Sequence, residues 1–204
     1  MLSSYDYFIN LLISALLVLG FYNIYFFIQR KIRGKSTGFY SQIDMLIPFR
    51  PQWVWVYSGL YYPVIFFLVF SVNSFRQFIY TVFSFIILLL FQVSFFYFLP
   101  VKTPDDWRNF NEYKSLSTRM LKFVQNHDGK ENAFPSMHVS VATLVAFHLE
   151  NNFQNEYGEY ANLFFLFPFL ILLSCLFTKQ HYVIDTIAGF FLGWFCFFLF
   201  NLVE

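Results

Sequence analysis

The sequence predicts an all-α, polytopic membrane protein, a bundle of six helices in a single domain over residues 1–204. Apolar residues make up 58% of the chain and charged residues 12%, whereas a soluble domain has roughly 45–50% apolar and about 25% charged residues. Uncharged stretches are also long enough to cross a bilayer, which takes about 20 apolar residues per helix. An ordinary soluble domain is therefore excluded, and no nucleic-acid partner is predicted.

Six stretches are predicted to span the membrane. Their approximate bounds are 8–28, 53–72, 78–99, 136–153, 160–177 and 182–203. The fourth is short for a full crossing, so it either extends through residues 151–153 or lies buried among its neighbours. Counting the crossings places the long polar loops 30–52 and 100–135 on one face of the membrane, together with the turn around Lys179.

The second long loop is predicted to contain an amphipathic helix at the membrane interface. Apolar residues recur there at helical spacing with Lys and Arg between them. They are Tyr113, Leu116, Met120, Phe123 and Val124. The alternative is an ordinary solvated loop. Cys175 and Cys196 lie inside apolar runs, which disfavours a disulfide or a metal site.

Two histidine motifs open predicted membrane helices. In TKQHYVIDTIAGF, His181 and Asp185 are four residues apart and share a helical face. Such a carboxylate can accept the proton of one ring nitrogen and leave the other as a nucleophile or base. Taken alone, the pair is equally compatible with a structural role. In ENAFPSMHVS, His138 stands at the start of the fourth helix, two residues after Ser136.

Three cations are predicted on the same membrane face as His138. They are Lys102, Arg108 and Lys179. Each alone would be interpreted as a solvated or snorkelling side chain. Clustered with the amides of a helix N-terminus they make an anion site, to which the hydroxyl of Ser136 and the backbone N–H groups of Met137 and His138 can contribute. Phosphate fits such a site.

The segments PSMH and HYVID resemble motifs of the type 2 phosphatidic acid phosphatase superfamily, whose signature is K-x6-R-P, P-S-G-H and S-R-x5-H-x3-D. The resemblance covers about residues 44–189. It implies that His181 is the nucleophile that attacks phosphorus, that Asp185 orients it and that His138 protonates the leaving oxygen. The residues that it implies for holding the phosphate are Lys102, Arg108 and Ser136.

The chain departs from this signature at several positions. Met137 replaces the usual glycine, and it and IPFRPQWVWVY resemble the branch that includes the inositol phosphorylceramide synthases. Lys102 and Arg108 are one residue too close, and Asn109 stands where proline is usual. Cys175 replaces an arginine. We hypothesise that Lys179, one helical turn further on, replaces this arginine and binds phosphate more weakly.

These patterns predict a phosphatase that hydrolyses a lipid phosphate monoester or diphosphate through a phosphohistidine, with no metal or other cofactor. Its partners would be the lipid phosphate substrate and membrane lipids. One alternative is a phosphotransferase that passes the headgroup phosphate to an alcohol such as inositol or ceramide. Another is a lipid-binding protein that has kept the anion site and lost turnover. His127 is expected to be solvated and His148 interfacial, both outside the site.

Two arguments disagree on which side of the membrane the site faces. Twelve of the thirteen Lys and Arg residues lie on the predicted site face, a bias that the positive-inside rule interprets as cytoplasmic. Relatives in the superfamily usually face the site outward or into a lumen. The chain is therefore predicted to be an integral, multi-pass membrane protein, and the charge bias favours a cytoplasm-facing site.

Overall fold

Helices make up almost all of the regular structure in this chain, which a computed structural model describes for residues 2–39 and 41–202. The α-helices are α1 (Ser4–Ile32), α2 (Gln42–Leu46), α3 (Tyr61–Ser71), α4 (Phe75–Phe98), α5 (Leu116–His127), α6 (Met137–Tyr157), α7 (Leu166–Phe177) and α8 (Val183–Asn201). Within the described residues, five segments are long and apolar enough to cross a membrane. The predicted all-α polytopic membrane fold is confirmed.

The longest of these five segments, Met137–Phe177, contains two helices that run in opposite directions. Ser136 at the start of α6 lies 4.0 Å from the sulfur of Cys175 near the end of α7, and Phe153 near the end of α6 stacks on Phe164 just before α7. The chain reverses at Gly158, which has a φ of +54°. A 3-10 helix (Gly158–Phe165) fills the first part of the stretch predicted as one helix over 160–177.

Other predicted bounds differ from the structure by a few residues. The stretch predicted from residue 53 begins as a 3-10 turn (Pro51–Trp53) and a π-helical turn (Trp55–Leu60) before α3. The stretch predicted as 136–153 is helical as far as Tyr157, because no glycine or proline interrupts it before Gly158. Residue 203, the predicted end of the last span, lies outside the described residues.

The two long loops meet above the bundle. A short parallel pairing joins β1 (Thr37–Gly38) in the first loop to β2 (Val101–Lys102) in the second. The helix predicted in the second loop is present as α5, which Ser115 caps through the backbone N–H of Thr118. Tyr113 lies in a 3-10 turn before α5 and not in the helix itself. The loops thus form a polar layer over one end of the helices.

Helices α6 and α8 approach each other most closely at two glycines of α8. A Cβ atom added to Gly189 would lie 2.5 Å from the carbonyl oxygen of Ser136, and one added to Gly193 would lie 2.4 Å from that of Ser140. Small residues four apart are the usual means of bringing two membrane helices into backbone contact. This contact fixes the openings of α6 and α8 relative to each other, and both histidine motifs lie at those openings.

We expect Gly193→Ala to lower the melting temperature of the detergent-solubilised protein, because overpacking a tight contact costs about 1–3 kcal/mol and here the nearest atom is backbone. Gly20→Ala is the matched control, since a Cβ at Gly20 of α1 meets nothing within 4 Å. Thermal unfolding of the two variants and of the wild type measures the difference. Equal melting temperatures for Gly193→Ala and Gly20→Ala would contradict the close packing.

Candidate active site

The two histidine motifs meet where α6 and α8 begin. His138 is the second residue of α6, and His181 lies just before α8. The backbone N–H of Ser136 donates to the carbonyl oxygen of Asp185 over 2.9 Å, which ties the start of one helix to the first turn of the other. The two imidazole rings are 6.3 Å apart between centroids. The structure therefore brings the predicted pair together from residues 43 positions apart in the sequence.

His181 is oriented by a backbone carbonyl more closely than by its carboxylate neighbour. Its Nδ1 lies 2.9 Å from the carbonyl oxygen of Ala133 and 3.6 Å from Oδ2 of Asp185. A carbonyl only accepts, so Nδ1 carries the proton and Nε2 keeps its lone pair. The sequence pointed to Asp185 as the acceptor. In the structure that Oδ2 accepts from the backbone N–H of Tyr182 at 2.9 Å.

His138 lies between two tyrosines from the second membrane segment. Its ring stacks on Tyr57 with 4.2 Å between centroids and tilts against Tyr61 at 4.7 Å. The hydroxyl of Tyr57 is 3.2 Å from Nδ1 of His138. Tyr57 lies in the π-helical turn, a local widening that is frequent at functional sites. The ring plane of His138 is thus fixed from both sides.

The two histidines line one small buried cavity of ≈30 Å³, which we call the inner cavity. Polar side chains supply much of its wall, among them Arg108, Asp128, Asn132 and Gln180. A cavity of this size has room for one or two water molecules, each of which needs roughly 10–15 Å³, and it has to widen to admit a phosphate group. It adjoins an open cavity of ≈830 Å³, the outer cavity, with which it shares Arg108, Gly129, Lys130 and Glu131.

Of the predicted phosphate ligands, Arg108 and Met137 line the inner cavity. The guanidinium of Arg108 donates to three backbone carbonyls at the end of α5: those of Gln125 at 3.0 Å, Asp128 at 2.8 Å and Gly129 at 2.8 Å. In this arrangement Arg108 closes the C-terminus of α5, whose last carbonyls have no partner within the helix. Its role in the described structure is to hold the loop that forms the cavity wall.

The other predicted phosphate ligands point elsewhere. Lys102 lines the outer cavity with Arg30 and Arg33. Ser136 is fully buried, and its hydroxyl accepts from the backbone N–H of Val139 at 3.4 Å as the N-cap of α6. The site cations predicted from the sequence are therefore not all gathered around the two histidines.

Lys179 lies beyond the end of α7 and not one turn further along it. The helix ends at Phe177, and Lys179 has a φ of +57°. Its ammonium group donates to the carbonyl oxygen of Asp44 at 2.6 Å and lies 5.0 Å above the ring of Trp107. Burial lowers the pKa of this lysine. The helical spacing that suggested it as a stand-in for the arginine missing at Cys175 is absent.

Sequence reasoning missed Asp128, which lines the inner cavity, and its two partners from α1, Tyr25 and Gln29. The carboxylate Oδ1 of Asp128 accepts from the hydroxyl of Tyr25 at 2.8 Å and from the side-chain amide of Gln29 at 3.2 Å. Burial raises the pKa of the Asp128 carboxyl, and the bonds from Tyr25 and Gln29 partly oppose this rise. Partners from α1, some 100 residues earlier, are invisible to local patterns. An acidic residue between a helix and PSMH was the only available hint.

We expect the stability of Asp128→Asn relative to the wild type to increase as pH rises. The increase should begin at about pH 4, near the ordinary Asp pKa, and continue toward neutral pH. A raised pKa means that the folded state keeps a proton that the unfolded state has lost, so the wild type loses stability as pH rises through this window. Asn keeps an oxygen that accepts from Tyr25 and Gln29. Melting temperatures across a pH series measure the effect.

Asp105→Asn is the control of opposite sign. Lys130 lowers the pKa of the exposed Asp105 carboxyl, so the contribution of Asp105 is present at neutral pH and is lost as pH falls. The melting temperature of Asp105→Asn relative to wild type should therefore decrease slightly as pH rises. A difference for Asp128→Asn that is constant with pH would contradict the assignment of Asp128.

The two remaining histidines lie outside the inner cavity. His127 is exposed at the end of α5, as expected. The prediction that His148 is interfacial is wrong: it is 1% exposed, and its Nε2 lies 2.8 Å from the hydroxyl of Ser84. Phe85, Phe197 and Phe200 surround its ring. A neutral imidazole with one hydrogen-bond partner can be buried among aromatic rings at small cost.

Comparison with models of protein families gives a match over most of the chain. A family model described as the PAP2 superfamily matches residues 49–199, well over half of the chain. The matched stretch begins before α3 and ends within α8, so it contains both histidine motifs and the second long loop. Searches of curated proteins and of solved structures found no match.

Proposed function

Because the chain belongs to the PAP2 superfamily, we propose that it is a membrane phosphatase that hydrolyses a lipid phosphate monoester or diphosphate through a phosphohistidine on His181. Family membership supports a phosphatase-like function on lipid phosphates in general. The finer proposal depends on one observation. The bond from Nδ1 of His181 to the carbonyl of Ala133 leaves a lone pair on Nε2, which is the requirement for a nucleophile.

In the first step, Nε2 of His181 attacks phosphorus. The new P–N bond forms as the P–O bond to the lipid breaks, and His138 donates a proton to the departing oxygen. The acid form of His138 is the imidazolium, in which both ring nitrogens carry protons: Nδ1–H donates to the hydroxyl of Tyr57 and Nε2–H donates to the departing oxygen. His138 is then neutral and can accept a proton in the second step. The lipid leaves as an alcohol, or as a monophosphate when the substrate is a diphosphate.

In the second step, water releases the phosphate. His138, which has given up its proton, accepts one from a water molecule as the water oxygen attacks phosphorus. The P–N bond breaks, the electron pair returns to Nε2 of His181, and inorganic phosphate leaves. Both histidines end the cycle in their starting protonation states, so the reaction needs no other proton donor.

We propose that the phosphate is held by Arg108 and by the backbone N–H of Met137, which line the inner cavity, and by Lys102 from the outer cavity. Ser136 and Lys179 are included in the proposal, but each requires a local rearrangement. Lys179 has to leave the carbonyl of Asp44. In the exchange the ammonium group leaves a neutral carbonyl and meets a negatively charged phosphate, and the attraction between the opposite charges favours the exchange when substrate widens the cavity.

The test is incubation of the purified protein with a panel of lipid monophosphates and diphosphates. Free phosphate and phosphorylated alcohols are measured side by side, with His181→Ala as the blank. Release of free phosphate supports hydrolysis. A phosphorylated inositol or ceramide product instead of free phosphate would establish the transfer reaction. Binding of vanadate without any turnover would establish the lipid-binding alternative.

A further inference from the structure

Helix α1 is packed against the bundle at its two ends and stands off from it in the middle. Its buried residues are Asn10, Tyr25, Ile28, Gln29 and Ile32, and none lies between residues 11 and 24. Near the first end, the hydroxyl of Tyr7 donates to the carbonyl oxygen of Val72 at the end of α3. The central turns of α1 therefore leave a gap against α3, α4 and α6.

This gap is an apolar cavity of ≈100 Å³, which we call the bundle cavity. The wall from α1 is a single stripe at helical spacing: Ser14, Leu17, Val18, Phe21 and Tyr22. The facing wall includes Ile65 of α3, Val82 of α4 and Val141 of α6. An apolar wall offers water few hydrogen-bond partners, and the lining atoms lack the contacts that a close-packed interior provides.

The bundle cavity adjoins the candidate active site. Tyr22, Tyr61 and Met137 line both the bundle cavity and the inner cavity. Tyr61 also packs against His138. At this junction the hydroxyls of Tyr22 and Tyr62 are hydrogen-bonded at 2.6 Å. The tyrosines therefore lie between the apolar lining of the bundle cavity and the polar lining of the inner cavity.

We propose that the bundle cavity binds the first part of the hydrocarbon chain of a lipid phosphate whose phosphate group is in the inner cavity. The proposal rests on the proposed function and adds the binding site for the lipid chain. A molecule that is polar at one end and apolar at the other matches the change of wall chemistry at the tyrosines. The cavity is too small for a whole lipid chain, so the remainder passes beside the loosely packed middle of α1 into the bilayer.

The test compares two adjacent residues of α1. Leu17→Trp fills the bundle cavity, whereas Leu16→Trp adds the same side chain on the outer face, where Leu16 is 69% exposed. Hexadecyl phosphate and methyl phosphate, which has no chain to occupy the cavity, are the substrates. Because misplacement by about 1 Å can cost roughly 100-fold in rate, we expect Leu17→Trp to lower kcat/KM for hexadecyl phosphate by about 10- to 100-fold. Methyl phosphate should be hydrolysed at the wild-type rate by both variants.

Hydrolysis of methyl phosphate also reports on folding. If Leu17→Trp loses both activities, the smaller change Ser14→Leu at the same wall replaces it in the comparison. A variant that fills the cavity and hydrolyses both phosphates at the wild-type rate would overturn the proposal.

A cross-linking experiment tests chain binding independently of turnover. Hexadecyl phosphate with a diazirine on an early methylene group is photolysed with the wild type, and the labelled peptides are identified by mass spectrometry. Labelling of the α1 stripe or of α4 around Val82, lost in Leu17→Trp and retained in Leu16→Trp, is expected. Labelling confined to outward-facing residues would overturn the proposal. Cavity labelling without hydrolysis of any phosphate would support it while refuting the proposed phosphatase activity.

Discussion

His181→Ala is expected to abolish turnover of every lipid phosphate that the wild type hydrolyses and to remove the covalent phosphoenzyme. The imidazole supplies the attacking lone pair, and alanine leaves no group that can form the P–N bond. The measurement is acid-labile labelling of the protein from a substrate with a radioactive phosphate group, together with release of free phosphate. Both signals should fall to background.

The matched control for this variant is His127→Ala. His127 is an exposed histidine that lines the outer cavity and has no role in the proposed reaction, so its removal should leave labelling and turnover at the wild-type level. Because Nδ1 of His181 also bonds the carbonyl of Ala133, melting temperatures of both variants are compared to exclude a folding defect. Normal labelling of His181→Ala would show that another residue is the nucleophile.

His138→Ala is expected to form the phosphoenzyme much more slowly, since general acid catalysis contributes roughly 10²- to 10⁴-fold. The variant keeps the nucleophile, so its label should appear on His181 after long incubation. The loss should be smaller with p-nitrophenyl phosphate, whose leaving group departs without a proton, than with an alkyl phosphate. Single-turnover measurements with the two substrates separate this step from phosphate release.

Tyr57→Phe is the companion variant for His138. It keeps the ring stacked on His138 and removes the hydroxyl near Nδ1, so the expected loss is smaller than for His138→Ala. An equal loss with both leaving groups in His138→Ala would contradict the role of His138 as the acid and would point to a role in packing.

The helical fold was predictable because hydropathy is a local property of the sequence. Uncharged stretches locate membrane helices whatever their neighbours are. Hydropathy does not predict whether a given turn is α-, π- or 3-10-helical. The π-helical turn at Tyr57 and most of the 3-10 helix before Leu166 lie within stretches that hydropathy predicts as single membrane helices. Their form depends on packing against other segments.

The residues of the candidate site likewise fall into those that local motifs predict and those that depend on distant packing. His138, His181 and Asp185 were predicted because short motifs contain them, and the contact of α6 with α8 brings them together. Asp128 was not predicted, since its partners come from α1. The carbonyl partners of Arg108 were also beyond reach of the sequence, because a backbone carbonyl has no residue signature.

Helix ends explain the two remaining differences. Lys179 was assigned one helical turn from Cys175, but α7 ends at Phe177 and the left-handed backbone of Lys179 turns its side chain toward Asp44. His148 was assigned to the interface because α6 was expected to end near it. The helix continues to Tyr157 and keeps His148 among buried aromatic rings.

The carbonyl of Ala133 bears on the lifetime of the phosphoenzyme. Once Nε2 of His181 carries phosphate, the ring is cationic and Nδ1–H donates to a neutral oxygen at 2.9 Å, with the carboxylate of Asp185 further away at 3.6 Å. A neutral acceptor stabilises the cationic ring less than a carboxylate at the same distance would, because it carries no opposite charge. The phosphorylated ring therefore stays a good leaving group, and we expect the intermediate to decay quickly. Rapid quenching in the millisecond range should capture far more of it than manual mixing does.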